Sequence, residues 1–166
     1  MKSLFMESDA LLSDCGKFRY WLSRIWDREK PSVCFVMLNP SAATATQDDP
    51  TIRRCFGFAI RLGCGQLMVC NLFAYRATNP HDLRRAGYPV GPENDDWIRQ
   101  CVAGRRMTIA AWGAQAGPPV RDRIAQVRRL LREIGLPICC LGTTKDGSPR
   151  HPLFVPSAAD LQEYQP

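Results

Sequence analysis

The sequence predicts an α/β domain: a three-layer α/β/α arrangement around a central, mostly parallel four-stranded sheet, spanning residues 1–166 as a single unit. Two observations predict it. The run Val33-Cys34-Phe35-Val36-Met37-Leu38 is apolar throughout and rich in β-branched and aromatic residues, as a strand buried on both faces is. The pattern then recurs in Leu67 to Cys70, Met107 to Ala111 and Pro137 to Leu141, separated by helix-length segments. Strand ends are expected at residues 38, 70, 111 and 141, all on one side of the sheet. The first three runs deliver Asn39-Pro40-Ser41, Asn71 and Trp112-Gly113 just past their carboxyl ends. That is where open α/β sheets bind ligands.

Taken in order, the first dozen residues carry no firm signal. Between Lys17 and Trp26 the residues Phe18, Tyr20 and Leu22 alternate with Lys17, Arg19, Trp21 and Ser23, which reads as a half-exposed strand, though a short helix also fits. Asp27 to Pro31 is a turn. Ser41 to Asp49 is small and polar, a loop of the length that closes over ligands. Asp49-Pro50 places an N-cap and an N1 proline at the head of a helix that carries Ile52, Cys55, Phe56, Ala59 and Ile60 and ends at Gly63. Its Arg53 and Arg54 sit where the helix dipole disfavours cations, so a ligand or carboxylate contact is expected of them, plain exposure being the alternative. Asn71 to Thr78 is a mixed loop, Asn79-Pro80 starts a short helical turn, and Pro92 to Asp95 opens a helix with Trp97, Ile98 and Val102 inward. A further helix carries Arg121, Arg123, Arg128, Arg129 and Arg132, expected on a solvated face opposite the stripe Ile124, Val127, Leu130, Leu131 and Ile134. Thr143 to Pro152 closes the series as a polar loop.

The chain has 166 residues, 45% of them hydrophobic, enough for a substantial core. Its net charge of +6 favours an anionic partner, nucleic acid or a nucleotide. The eight cysteines form no C-x-x-C pair, and Cys34, Cys70, Cys139 and Cys140 lie inside apolar runs as small hydrophobes. With no signal peptide and no membrane-length apolar run, a reducing cytoplasm is expected, with no membrane association, no cofactor and no metal. A zinc or iron–sulfur site would require non-local pairing.

Few residues offer chemistry. His151 lies past the last predicted strand between Pro149-Arg150 and Pro152, with Lys145 nearby. A histidine so held reads either as a structural hydrogen-bonder or as a neutral donor to a developing oxyanion. Asn39 and Asn71 each read alone as strand-end or turn residues. Together they offer amide donors and acceptors that can hold a water or read the edge of a heterocyclic base. The sequence has no nucleophile elbow, glycine-rich phosphate loop, HExxH or EF-hand pattern.

The order Leu38-Asn39-Pro40-Ser41, Asn71, Ala111-Trp112-Gly113-Ala114-Gln115-Ala116 and His151-Pro152 resembles the successive motifs of the uracil-DNA glycosylase superfamily, nearest its mismatch-specific branch. Met37 stands where that superfamily has glycine, and Leu153 where it has serine. From Cys15 to Pro152 the chain also resembles the uncharacterised family DUF1643, through Met37 to Ser41, Asp48 to Cys55, Asn71 to Thr78, Gly91 to Asp95 and Thr144 to Gly147. The glycosylase resemblance implies a glycosylase-like fold and hydrolysis of the N-glycosidic bond of a base in nucleic acid or a nucleotide, as in DNA repair. Asn39 would position the attacking water and His151 would support the departing base. Asn71 would bind that base, with Pro40, Ser41 and Trp112 around the substrate. From charge, a nucleic-acid partner would separately place Arg53, Arg54, Arg76, Lys145 and Arg150 on one rim around the pocket. Phe56, Phe58 or Phe73 would supply a stacking ring, and Leu153-Phe154-Val155 reads as an intercalating wedge or as core. Two alternatives stand beside it: a non-catalytic module for a nucleotide or modified base, and a carboxylate- or metal-dependent hydrolase using Asp48, Asp49 and Asp146.

Overall fold

A computed structural model describes residues 7–114 and 117–165. Strands β1 (Glu7–Leu12), β2 (Arg19–Ile25), β3 (Ser32–Met37), β4 (Gln66–Asn71), β5 (Met107–Ala110), β6 (Ile138–Cys140) and β7 (Gln162–Glu163) form one sheet. Its order is β1-β2-β4-β3-β5-β6-β7. Four helices intervene: α1 (Pro50–Arg61), α2 (Pro80–Arg85), α3 (Asn94–Val102) and α4 (Pro118–Ile134).

This corrects the expected four-stranded, mostly parallel, glycosylase-like sheet. The sheet has seven strands and is mixed. The pairs β3–β4, β3–β5 and β5–β6 are parallel, whereas β1–β2, β2–β4 and β6–β7 are antiparallel. The physical reason is the signal used. A continuous apolar run marks a strand covered on both faces, and β3 is buried at every position. Edge strand β1 alternates exposed and half-buried residues, and β7 is two exposed residues long, so neither carries that mark.

The core lies on both faces of the sheet. Phe35, Leu67, Val69 and Ile109 pack under Ile52, Cys55, Phe58 and Ala59 of α1. On the other face Cys34, Val36, Cys70 and Ala110 meet Leu83 of α2, Ile98 and Val102 of α3, and Val127 and Leu131 of α4. Alternation along β3 sends successive side chains to these two layers, which is why the strand is apolar throughout. Cys34 and Cys70 bring their thiols to 3.8 Å inside the second layer. There, hydrogen bonding with Cys101 and Cys34 that favours the protonated thiol, together with burial, holds the Cys70 pKa well above its usual range.

Local chemistry explains the start of α1. The Asp49 carboxylate accepts from the Ile52 N–H at 2.8 Å as N-cap, and Pro50 occupies N1, where no amide hydrogen is needed. The cations of its first turns reach backbone carbonyls and a hydroxyl. Arg53 donates to the Asp48 carbonyl at 3.1 Å, while Arg54 donates to the carbonyls of Pro152 and Val155 and to Ser157 Oγ, fastening the C-terminal segment to α1. The solvated face expected of α4 also needs correction at one position. Arg123 is buried, donating from Nε to the Leu72 carbonyl at 2.7 Å and pairing with Asp95 at 2.6 Å. Among the described residues, no helix is long and apolar enough to cross a membrane.

Candidate functional site

The carboxyl ends of β3 and β4 are tied to each other before they meet anything else. Past β3, Asn39 donates from Nδ2 to the carbonyls of Pro40 at 3.0 Å and Ala77 at 2.8 Å, and the Ala77 N–H returns a bond to the Pro40 carbonyl. Two carbonyls facing one amide require its nitrogen end there, which turns Oδ1 away as an acceptor. Asn71, the last residue of β4, is 1% exposed, and its Nδ2 has no partner among the described residues. Its backbone is clamped. Asn94, buried at the head of α3, donates from Nδ2 to the carbonyls of both Asn71 and Leu72.

A cavity of about 510 Å³ opens over these strand ends. Asn39, Ser41, Asn71, Trp112 and His151, all singled out from the sequence, line it together. Arg19, Asp49, Thr51, Thr78 and Phe154 add to its polar and aromatic wall. Two smaller clefts adjoin it. One of about 390 Å³ holds Lys17, Tyr75 and Arg76 and shares Ser41, Ala42, Ala77 and Thr78 with the cavity. The other, about 230 Å³, holds Thr144 and Arg150 and shares Trp112, His151 and Phe154.

The remaining expected residues fall elsewhere. Pro40 stands behind the wall, contributing its carbonyl to the Asn39 tie. Phe73 is core, packed near Tyr88, while Phe56 lies edge-on against Trp26 and Phe58 is buried beneath α1. None of these three rings faces the cavity. The exposed ring is Phe154, at 76%, with Leu153 beside it and Val155 buried, so the segment read as either wedge or core divides between the two. Arg53, Arg54 and Lys145 line none of the three clefts. Gln115 and Ala116 of the Trp-Gly motif lie outside the described residues.

His151 is the most constrained group. Its ring Nδ1 accepts from the Leu153 N–H at 3.2 Å, capping the 3-10 turn Pro152–Phe154. A nitrogen that accepts cannot also carry the proton, so the neutral ring holds its hydrogen on Nε2, as a donor. Burial pushes the His151 pKa below the ordinary histidine value, against the opposing pull of the Asp49 charge. The unfolded chain therefore takes up this proton at a higher pH than the folded one. The sign follows: His151 costs nothing well above its unfolded pKa, and stability falls as pH drops from that value through the lower folded one. Denaturant melts of wild type and His151→Ala across pH 5 to 8 check this. The wild type is expected to lose more stability than the variant on acidification.

Arg19 is 3% exposed, and burial drags its guanidinium down to about 10, with Asp49 opposing and Arg76 and Arg24 adding to the shift. Asp49 accepts from two backbone amides, Ile52 and Ala43. The carboxylates considered for metal chemistry do not gather. Asp48 pairs with Arg24 at 2.9 Å, Asp49 caps α1, and Asp146 stays in its own turn with Thr144 and Ser148. Among the described residues, no group of three or more His, Cys, Asp or Glu side chains is placed to hold a metal ion.

Residues 19–153 match the family described as "Protein of unknown function (DUF1643)". No curated protein and no solved structure matches the chain.

Proposed function

This chain belongs to the DUF1643 family, and we propose that it hydrolyses the N-glycosidic bond of a base in nucleic acid or a nucleotide. One observation carries the reading: Asn39, Asn71 and His151, far apart in sequence, line a single cavity of about 510 Å³. In this reading the C–N bond breaks with its electron pair going to the base. His151 Nε2–H donates to the base as that charge develops, a contact stronger in the transition state than in the ground state. Asn39 Oδ1 accepts a hydrogen bond from the incoming water and aims it at the anomeric carbon. An asparagine removes no proton, so its role is orientation, which suffices where the sugar carbon is already cationic in character. As the new C–O bond forms, the water sheds its proton to the departing base, which carries the electron pair of the broken C–N bond, or to solvent. The Asn71 amide reads the edge of the base, and Trp112 and Phe154 supply aromatic surface.

A panel of base-modified single- and double-stranded oligonucleotides, nucleosides and nucleotides, assayed for released base, tests this. At least one member is expected to lose its base, and no release from any member overturns the reading. Salt sorts the substrate. Lys17 and Arg76 flank one side of the cavity and Arg150 the other. An oligonucleotide substrate is expected to lose affinity steeply as salt rises, whereas a free nucleotide loses little.

A second reading has its own support. Both oxygens of Asp49 accept from backbone amides, so the carboxylate on the cavity wall has a structural task as a helix cap, and Asn39 beside it removes no proton. That favours a binding module for the same ligand. Binding without release in the same panel would identify it.

A further inference from the structure

Strict alternation along β2 would put Arg19 on the face of Trp21, opposite Leu22 and Arg24. The register says otherwise. Leu11 pairs with Trp21 but Leu12 pairs with Arg19, so Tyr20 is an extra residue, a β-bulge. The bulge re-aims Arg19 to the α1 side of the sheet, where its Nη1 donates to the Ala43 carbonyl at 2.6 Å and the side chain lines the cavity. Its Nε, fully buried, has no partner among the described residues. Among the described residues no carboxylate forms a salt bridge with it: the Asp49 charge acts on the guanidinium from a distance, while the Asp49 oxygens accept from the amides of Ile52 and Ala43. On the same wall the Asn71 Nδ2 is likewise buried and unpartnered.

Buried donors are normally satisfied, and a buried cation without a direct ion pair is costly. Two unpartnered buried donors, on residues that line one cavity, mark a place where a ligand supplies the missing acceptors. We propose that this wall is an anion subsite, in which Arg19 and Asn71 bind an oxyanion, a carboxylate or phosphate, carried by the ligand. The subsite makes the cavity selective for acidic ligands over neutral ones of the same shape. It shares the cavity of the proposed hydrolase but none of its chemistry, so the anion is bound whether or not a base is released.

Wild type, Arg19→Met, Arg19→Lys, Asn71→Leu and Arg121→Gln are titrated by calorimetry with inorganic phosphate, benzoate, uracil-6-carboxylate and neutral uracil. Arg121 is exposed on α4, and its variant removes the same unit charge away from the cavity. Saturable binding of at least one oxyanion to wild type is expected, with affinity lowered at least about tenfold in Arg19→Met and unchanged in Arg121→Gln. Arg19→Lys keeps the charge but not the fork, and is expected between wild type and Arg19→Met. Asn71→Leu should also weaken the oxyanion while leaving the Arg121→Gln comparison intact. Tighter binding of uracil-6-carboxylate than phosphate assigns a carboxylate ligand, and the reverse a phosphorylated one. Melting temperatures with and without oxyanion give a second readout. An anion subsite predicts a larger ligand-induced rise in wild type than in Arg19→Met, and an equal rise in both overturns it. No saturable oxyanion binding to wild type below about 10 mM, or equal affinity in wild type and Arg19→Met, overturns the proposal. Oxyanion binding without base release from any substrate overturns only the hydrolase reading.

Discussion

His151→Ala is expected to lower base-release turnover on the order of 10² to 10³, with little change in substrate affinity. The magnitude is that of losing one donor aimed at developing charge, roughly 2.7–4 kcal/mol of transition-state stabilisation. The structure adds a control that separates chemistry from folding. His151 also caps the 3-10 turn through Nδ1, so the alanine variant loses a cap worth about 1 kcal/mol. His151→Asn restores a side-chain acceptor at the cap but cannot reproduce the ring's Nε2–H at its distance. Steady-state kinetics alongside denaturant melts should show the asparagine variant recovering stability and not turnover. Asn39→Ala is expected to behave like His151→Ala, and Asn71→Ala to lose base selectivity as well. Unchanged turnover in both the Asn39 and His151 variants would leave the cavity without a catalytic role.

The largest stability effect is expected at a residue that never touches the cavity. Asn94 is fully buried and spends its Nδ2 on the carbonyls of Asn71 and Leu72. Asn94→Asp changes almost no volume but sets an acid where a donor stood, facing two carbonyl oxygens. Ionised, it forfeits both bonds and adds a repelled, buried charge, a cost of about 3 kcal/mol or more. Protonated, it still donates once. The folded-state pKa of the new acid is thus raised above its unfolded value, so the variant should be least impaired in acid and lose stability as pH rises. That trend is opposite in sign to the His151 effect, and urea melts at pH 5 and pH 7.5 distinguish them. Turnover should fall too, because Asn94 fixes the end of β4 that presents Asn71. A loss of under about 0.5 kcal/mol at pH 7.5 would show that Arg123, which also donates to the Leu72 carbonyl, holds that end alone.

Much of this site was legible because it hangs on the ends of buried strands. The apolar runs that become β3, β4 and β5 stop where the sequence turns polar, and that register fixes where Asn39, Asn71 and Trp112 emerge. Asp49-Pro50 announced the start of α1 by the chemistry of helix ends alone. The edge strands were not legible, because β1 and β7 gain their hydrogen bonds from neighbours without burying an apolar run. The contacts of the basic residues were not legible for a related reason. Arg53 and Arg54 are spent on carbonyls of the Asp48 and Pro152–Val155 segments, contacts fixed only once those segments fold beside α1.

What the sequence determined by itself, then, is the buried strands, the capped helix and the residues at the strand ends, since these follow from periodicity and local bonding. Tertiary structure decided which of those residues share a wall and which cation joins them. Arg19 shows the reason most directly. Period-two alternation places it with Trp21, yet a bulge of one residue at Tyr20 carries it to the opposite face and into the cavity. A bulge is set by pairing with β1 and packing of the sheet, not by the residues on either side of it. One extra residue in one strand therefore moves a buried charge from one layer of the protein to the other.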